Sequence, residues 1–172
     1  PFPIESKASL VQKRLNKGEF IIYKKEFILD KSFIKDFTFL HFLGIDQQYH
    51  IILNGQKFDW ITPLNFPTKI DVSKCIKEHN ELYVIVKDDL DYRLPLGKQS
   101  KKPKGIFYTP FSGIYYPVFI ESVNAGYIES LDIKTTMSSV TLNINSTSNE
   151  FNISIYDGNN LIIDRTINDK TV

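Results

Sequence analysis

Alternation of apolar and polar residues at strand length runs through this chain from end to end, and no long helical pattern interrupts it. In Glu81–Asp88 (ELYVIVKD), Leu82, Val84 and Val86 alternate with Tyr83, Ile85 and Lys87. Val140, Leu142 and Ile144 alternate with Thr141, Asn143 and Asn145, and Phe151, Ile153 and Ile155 repeat the pattern. A period of two sends successive side chains to opposite faces, so such segments must form sheets with one face buried. Phe20–Leu29 and Phe37–Gly44 are rich in the aromatic and branched residues that suit strands. Asn54-Gly55 inside Tyr49–Phe58 supplies the two positive φ angles of a tight hairpin. The one helix candidate is Asp71–His79, with Asp71 as its cap and two turns at most. A (β/α)₈ barrel needs roughly 250 residues and alternating helices; this chain has 172 and lacks the helices.

Charge and cysteine content narrow the function classes. Twenty-one basic against 20 acidic residues give a net charge of +1, which argues against a nucleic-acid partner. The apolar runs are far shorter than a membrane span, so no membrane partner is expected either. Lys98, Lys101, Lys102 and Lys104, beside Pro103, read as a solvated connection. The single cysteine, Cys75, excludes an internal disulfide and a Cys-based zinc site, and reads as a small buried hydrophobe. Low cysteine usage points to a cytoplasmic location. His41, His50 and His79 lack metal-ligand spacing, and His41 reads as a packed, hydrogen-bonded strand residue. No metal and no cofactor is expected. The chain opens on Pro1, which reads as a piece of a longer protein whose leader could have been removed.

A second strand rhythm begins near Tyr127, with Asp157–Asn160 (DGNN) as a turn. These strands are too few for an immunoglobulin-like sandwich of about seven. The expected organisation is therefore a complete domain over 1–130 and an incomplete immunoglobulin-like one over 131–172. An incomplete sandwich exposes an apolar face and an open edge, so a homo-dimer through this tail, or a mobile tail, is expected.

Several segments, in order, resemble the N-terminal sugar-binding domain of glycoside hydrolase family 2. They are Pro1–Leu10 (PFPIESKASL), Leu40–Gln56 with its Ile45-Asp46 and Asn54-Gly55, and Ile70–Asp88. Gly97-Lys98-Gln99, Ile106-Phe107-Tyr108-Thr109, Ser112-Gly113-Ile114-Tyr115 and Ile120-Glu121-Ser122-Val123 follow. Tyr127–Ile133 is similar to the start of the family's second domain. The sequence departs from the family at Phe58–Thr68, which lacks its His and paired glycines, at Tyr115, where the family has Trp, and at Phe107, where some members carry an acid.

The resemblance implies an all-β chain: a jelly-roll, galactose-binding-like β-sandwich followed by a partial immunoglobulin-like β-sandwich. It implies a non-catalytic accessory domain of a β-galactosidase-type enzyme, packed on the catalytic barrel of the same parent chain. Hydrolysis needs two flanking carboxylates; none are assigned here, and Asp88, Asp89 and Asp91 read as a solvated turn. Trp60, Phe107, Tyr108, Phe111, Tyr115 and Tyr116 are the candidate sugar-binding residues, because an aromatic face suits the C–H face of a pyranose. Carbohydrate affinity is expected to be weak. The alternatives are an independent carbohydrate-binding module and a ligand-free oligomerisation domain.

Overall fold

The computed structural model describes residues 2–168 and Lys170. The chain divides into two compact units, 1–122 and 123–172. The sequence expectation places a boundary near residue 130. The division falls earlier because Tyr127 bonds within the second unit, its O accepting from Ser146 Oγ and Thr147 N and its N donating to Thr147 Oγ1, whereas the Ser122 hydroxyl bonds Lys35 N, Thr38 Oγ1 and Phe37 O of the first.

The first unit is an all-β sandwich. One sheet orders β1 (Phe20–Ile28), β7 (His79–Lys87), β4 (Gln48–Leu53) and β5 (Gln56–Lys57) as β1-β7-β4-β5, all antiparallel. The other orders β6 (Thr68–Asp71), β2 (Phe37–Phe42) and β9 (Val118–Val123) as β6-β2-β9. A short pair, β3 (Ile45–Asp46) with β8 (Gly113–Ile114), forms a third, two-stranded sheet. The period of two sets the inner faces: Leu82, Val84 and Val86 of β7 and Tyr49, Ile51 and Leu53 of β4 are buried. Phe42 of β2 meets the Tyr49 ring at a centroid distance of 4.9 Å. Tyr49 is wholly buried and its hydroxyl bonds that of Thr68; burial pushes the phenol up to about 12.

The Asn54-Gly55 hairpin forms as the pair predicts, with φ of +51° and +85°. Asn54 also ties the core together. Its amide donates to Cys75 O and Asn80 Oδ1, and its carbonyl oxygen accepts from Glu81 N.

Two expectations are corrected. Asp71–His79 is not a helix; it is one turn between β6 and β7, in which Asp71 Oδ1 accepts from Ser73 N and Oγ, and Cys75 N and Ile76 N both reach Val72 O. The short Asp turn satisfies these groups locally, and β7 then claims the following residues. Asp88 is not solvated: it is 4% exposed and fully engaged, as described below.

The second unit holds two hairpins, β10 (Ile128–Thr135) with β11 (Val140–Ser146) and β12 (Phe151–Asp157) with β13 (Asn160–Ile167). On the first, Leu131 pairs with Ile144 and Ile133 with Leu142; on the second, Phe151 pairs with Ile167 and Ile155 with Ile163. Leu131, Ile133, Val140, Leu161 and Ile162 are exposed, so apolar rows face outward.

Candidate functional site

The motif segments converge on one buried polar cluster. Asp46 ends β3 opposite Gly113 of β8 and is 3% exposed. Its Oδ2 accepts from Gln99 Nε2 at 2.6 Å. Gln99 Oε1 accepts from Phe111 N at 2.8 Å. Ser112 Oγ donates to Asp88 Oδ2 at 2.7 Å, and Asp88 Oδ1 accepts from Leu90 N at 2.8 Å. Ser112 N donates to Glu5 Oε2 at 3.2 Å. Glu5, Asp46, Asp88, Gln99 and Ser112 come from five separate segments of the chain, each within one of the motif stretches.

Asp46 is buried with the carboxylates of Asp88 and Glu5 nearby, which raises the cost of ionising it. Asp46 is pushed up to about 6, first by burial and then by the charges of Asp88 and Glu5, against the opposing Gln99 hydrogen bond. The arrangement is a clasp. It fixes both ends of the Gly97–Phe111 connection to the sandwich, and each acid is occupied in holding backbone or side chain. Sequence reading did not single out these polar residues as a group. Their signal was present as motif letters, yet nothing in the sequence shows that letters 107 positions apart touch, as Glu5 and Ser112 do.

Gly113 completes the clasp. Its φ is +91°, and a Cβ built there would overlap the Tyr23 hydroxyl and lie 3.0 Å from Ile21 Cδ1. The space is taken because Tyr23 Oη accepts from Ile114 N at 3.2 Å.

The six aromatic candidates fall into three places. Phe111, Tyr115 and Tyr116 form one cluster: Phe111 meets Tyr115 edge-on at 5.1 Å, and Tyr115 meets Tyr116 at 4.9 Å. Both tyrosine amides point at Gly44 O, and a Cβ at Gly44 would lie 2.6 Å from the Tyr115 ring. Burial, then Asp46 and Tyr116, push the Tyr115 phenol up. Phe107 and Tyr108 are exposed in the connection, where Tyr108 N donates to Lys98 O at 2.7 Å and Lys98 Nζ lies 5.8 Å from the Tyr108 ring centre. Trp60 lies on the outer face of the four-stranded sheet, 4.5 Å from the His50 ring and 6.2 Å from Phe20. Trp60 is half exposed (49%). His41, on the other sheet, stacks on Phe119 at 4.5 Å and hydrogen-bonds Glu121 at 3.0 Å.

No family model and no curated protein matches the sequence. Solved structures do match. A β-D-glucuronidase from Dictyoglomus thermophilum aligns with a TM-score of 0.72 at 19% identity, covering 88% of this chain and 30% of that one. A β-glucuronidase from an uncultured Clostridium sp. aligns with a TM-score of 0.65 at 18% identity, over 89% of this chain and 28% of that one. A Ruminococcus gnavus β-glucuronidase in complex with D-glucaro 1,5-lactone gives 0.69 at 16% identity, over 91% and 30%. The fold is one shared with part of each of these enzymes. The chain spans about 30% of their length.

Proposed function

We propose that this chain is a non-catalytic accessory portion of a larger family 2 glycoside hydrolase, acting on a β-glycoside. The observation that carries the reading is the clasp: segments whose order resembles the family's meet at Asp46, Gln99 and Ser112, in a fold alignable over most of this chain with parts of β-glucuronidases. In this reading the clasp presents the Phe107–Tyr108 connection and the Phe111–Tyr115–Tyr116 cluster to the catalytic barrel of the parent. The aromatic surfaces then cover the barrel and shape the approach of substrate. The β-galactosidase-type expectation draws no support from the aligned structures, which are named β-glucuronidases. We keep the wider substrate class, and the cytoplasmic location as part of the same proposal.

Residues 1–172 alone are expected to be inert toward chromogenic β-glucuronides, β-galactosides and β-mannosides, because Asp46 and Asp88 are held inside the clasp by Gln99 and Ser112. Turnover that persists through repurification and disappears in Asp88→Asn would overturn the accessory reading.

Trp60 favours a second reading, an independent carbohydrate-binding module, because its ring is half exposed. It is the only tryptophan, so its fluorescence reports this site alone. Binding of galactose, glucuronate or short oligosaccharides is expected to be millimolar at best, which is about 4 kcal/mol. Micromolar titration curves abolished by Trp60→Ala would favour the module.

The exposed apolar rows of the second unit support a homo-dimer through it as part of the proposal. Light scattering should then show a mass that rises with concentration, and removal of residues after about 122 should return a folded monomer. A strictly monomeric full chain rejects the dimer.

A further inference from the structure

The sandwich of the first unit is open along one side. β1 is the last strand of its sheet and β9 the last strand of the other, and neither has a further strand neighbour among the described residues. Between them lies a groove of about 460 Å³. Tyr23 and Phe27 of β1, Val118 and Ile120 of β9, and the core residues Leu40 and Val84 line it. Leu40 and Val84 are 4% and 3% exposed, so the groove reaches the hydrophobic core itself.

Two lysines stand at its rim and no acidic residue lines it. Lys24 is neutralised by Glu26 and Glu81, each at 2.8 Å. Lys25 has no ion-pair partner among the described residues and is exposed, although it occupies the inward-alternating series Ile21, Tyr23, Lys25, Phe27. Inward-placed charge on an edge strand discourages indiscriminate pairing. It also selects for an occupant that brings the opposite charge to that one position.

We propose that this groove is a strand-addition site for an extended segment of another polypeptide, apolar at alternate positions with an acidic residue opposite Lys25. The framing strand edges carry backbone donors and acceptors that an added strand satisfies and an alkyl chain does not. Alternate side chains of the segment fill the groove, and its acid pairs with Lys25. A second copy of β1 would bring its own Lys24 and Lys25 to the seam, which opposes self-pairing. The site lies within the first unit only.

The probe is acetyl-Val-Thr-Val-Thr-Glu-Thr-Val-amide, about seven residues at about 3.4 Å each, titrated into the ¹⁵N-labelled full chain. Saturable shifts confined to β1, β9 and the groove, with slowed exchange of β1 amides, are expected. Alternate backbone N-methylation should weaken binding at least tenfold. Lys25→Glu, an exposed change that leaves the core intact, should weaken it at least fivefold, and a peptide with Lys in place of Glu should restore it. Lack of saturation at millimolar peptide overturns the proposal, as does indifference to N-methylation or failure of the charge swap to rescue. Decanoate binding the groove as tightly as the peptide would assign it to small amphiphiles instead. A doubled mass with protection of the β1 edge amides in the absence of peptide would assign it to a second copy.

Discussion

Gly113→Ala is expected to cost about 3 kcal/mol or more and to lower the melting temperature by on the order of 10 °C. Two costs add. The φ of +91° is one that L side chains rarely adopt, and the new Cβ would overlap the Tyr23 hydroxyl, with Tyr23 Cζ at 3.2 Å. Tyr23 cannot simply withdraw, because its hydroxyl accepts from Ile114 N and its ring packs against the core. Gly55 is the internal control: its φ is +85° but nothing lies within 4 Å of a built Cβ. Gly55→Ala therefore carries the backbone cost alone, about 1 kcal/mol. Tyr23→Phe removes the atom in the way while leaving Ile114 N without its acceptor. The double variant Tyr23→Phe/Gly113→Ala should therefore be less destabilised than the sum of the singles. Thermal denaturation of the four variants measures all of this. An unchanged melting temperature for Gly113→Ala would show that β8 relaxes without cost, and the clasp would lose its claim to be rigid.

The sequence made the strands legible because each is written locally. Leu82, Val84 and Val86 alternate within five letters, and Asn54-Gly55 announces its own turn. Asp71–His79 misled for the same local reason: an Asp can accept from the backbone amide two residues on, here Ser73 N, equally well in one isolated turn as at a helix start. The site was legible only in part. Phe111, Tyr115 and Tyr116 are close in sequence and close in space, whereas Trp60 packs against His50 and Phe20 through sheet pairing that no local pattern records. Asp88 was hardest to read. Beside Asp89 and Asp91 it has the look of a solvent-facing turn, and only its partner Ser112, in a distant segment, shows that it is buried. Acidic letters carry no signal of burial by themselves, since the same residue serves a surface turn or an interior hydrogen bond.

Asp46 should make the first unit less stable as pH rises. Its folded value lies at about 6, above the ordinary 3.8, so the native state holds this proton more tightly than the unfolded chain does. The resulting stability is fully present below about pH 4 and is lost as pH climbs through 6. Two pH units of difference correspond to ~3 kcal/mol by neutral pH. The cause is burial first, reinforced by Asp88 and Glu5, so the charge that forms on Asp46 has two acidic neighbours and one amide donor, Gln99. Asp46→Asn keeps an oxygen for Gln99 and cannot ionise. It should therefore match the parent near pH 4, exceed it increasingly up to about pH 7, and hold a steady advantage of as much as ~3 kcal/mol above that. Urea denaturation of both proteins at intervals across this range isolates the residue, because other titrating groups are common to both. A difference that stays constant with pH would show that Asp46 does not titrate in the window. A variant less stable than the parent at pH 8 would show that the ionised carboxylate, not the neutral acid, is what the clasp is built to hold.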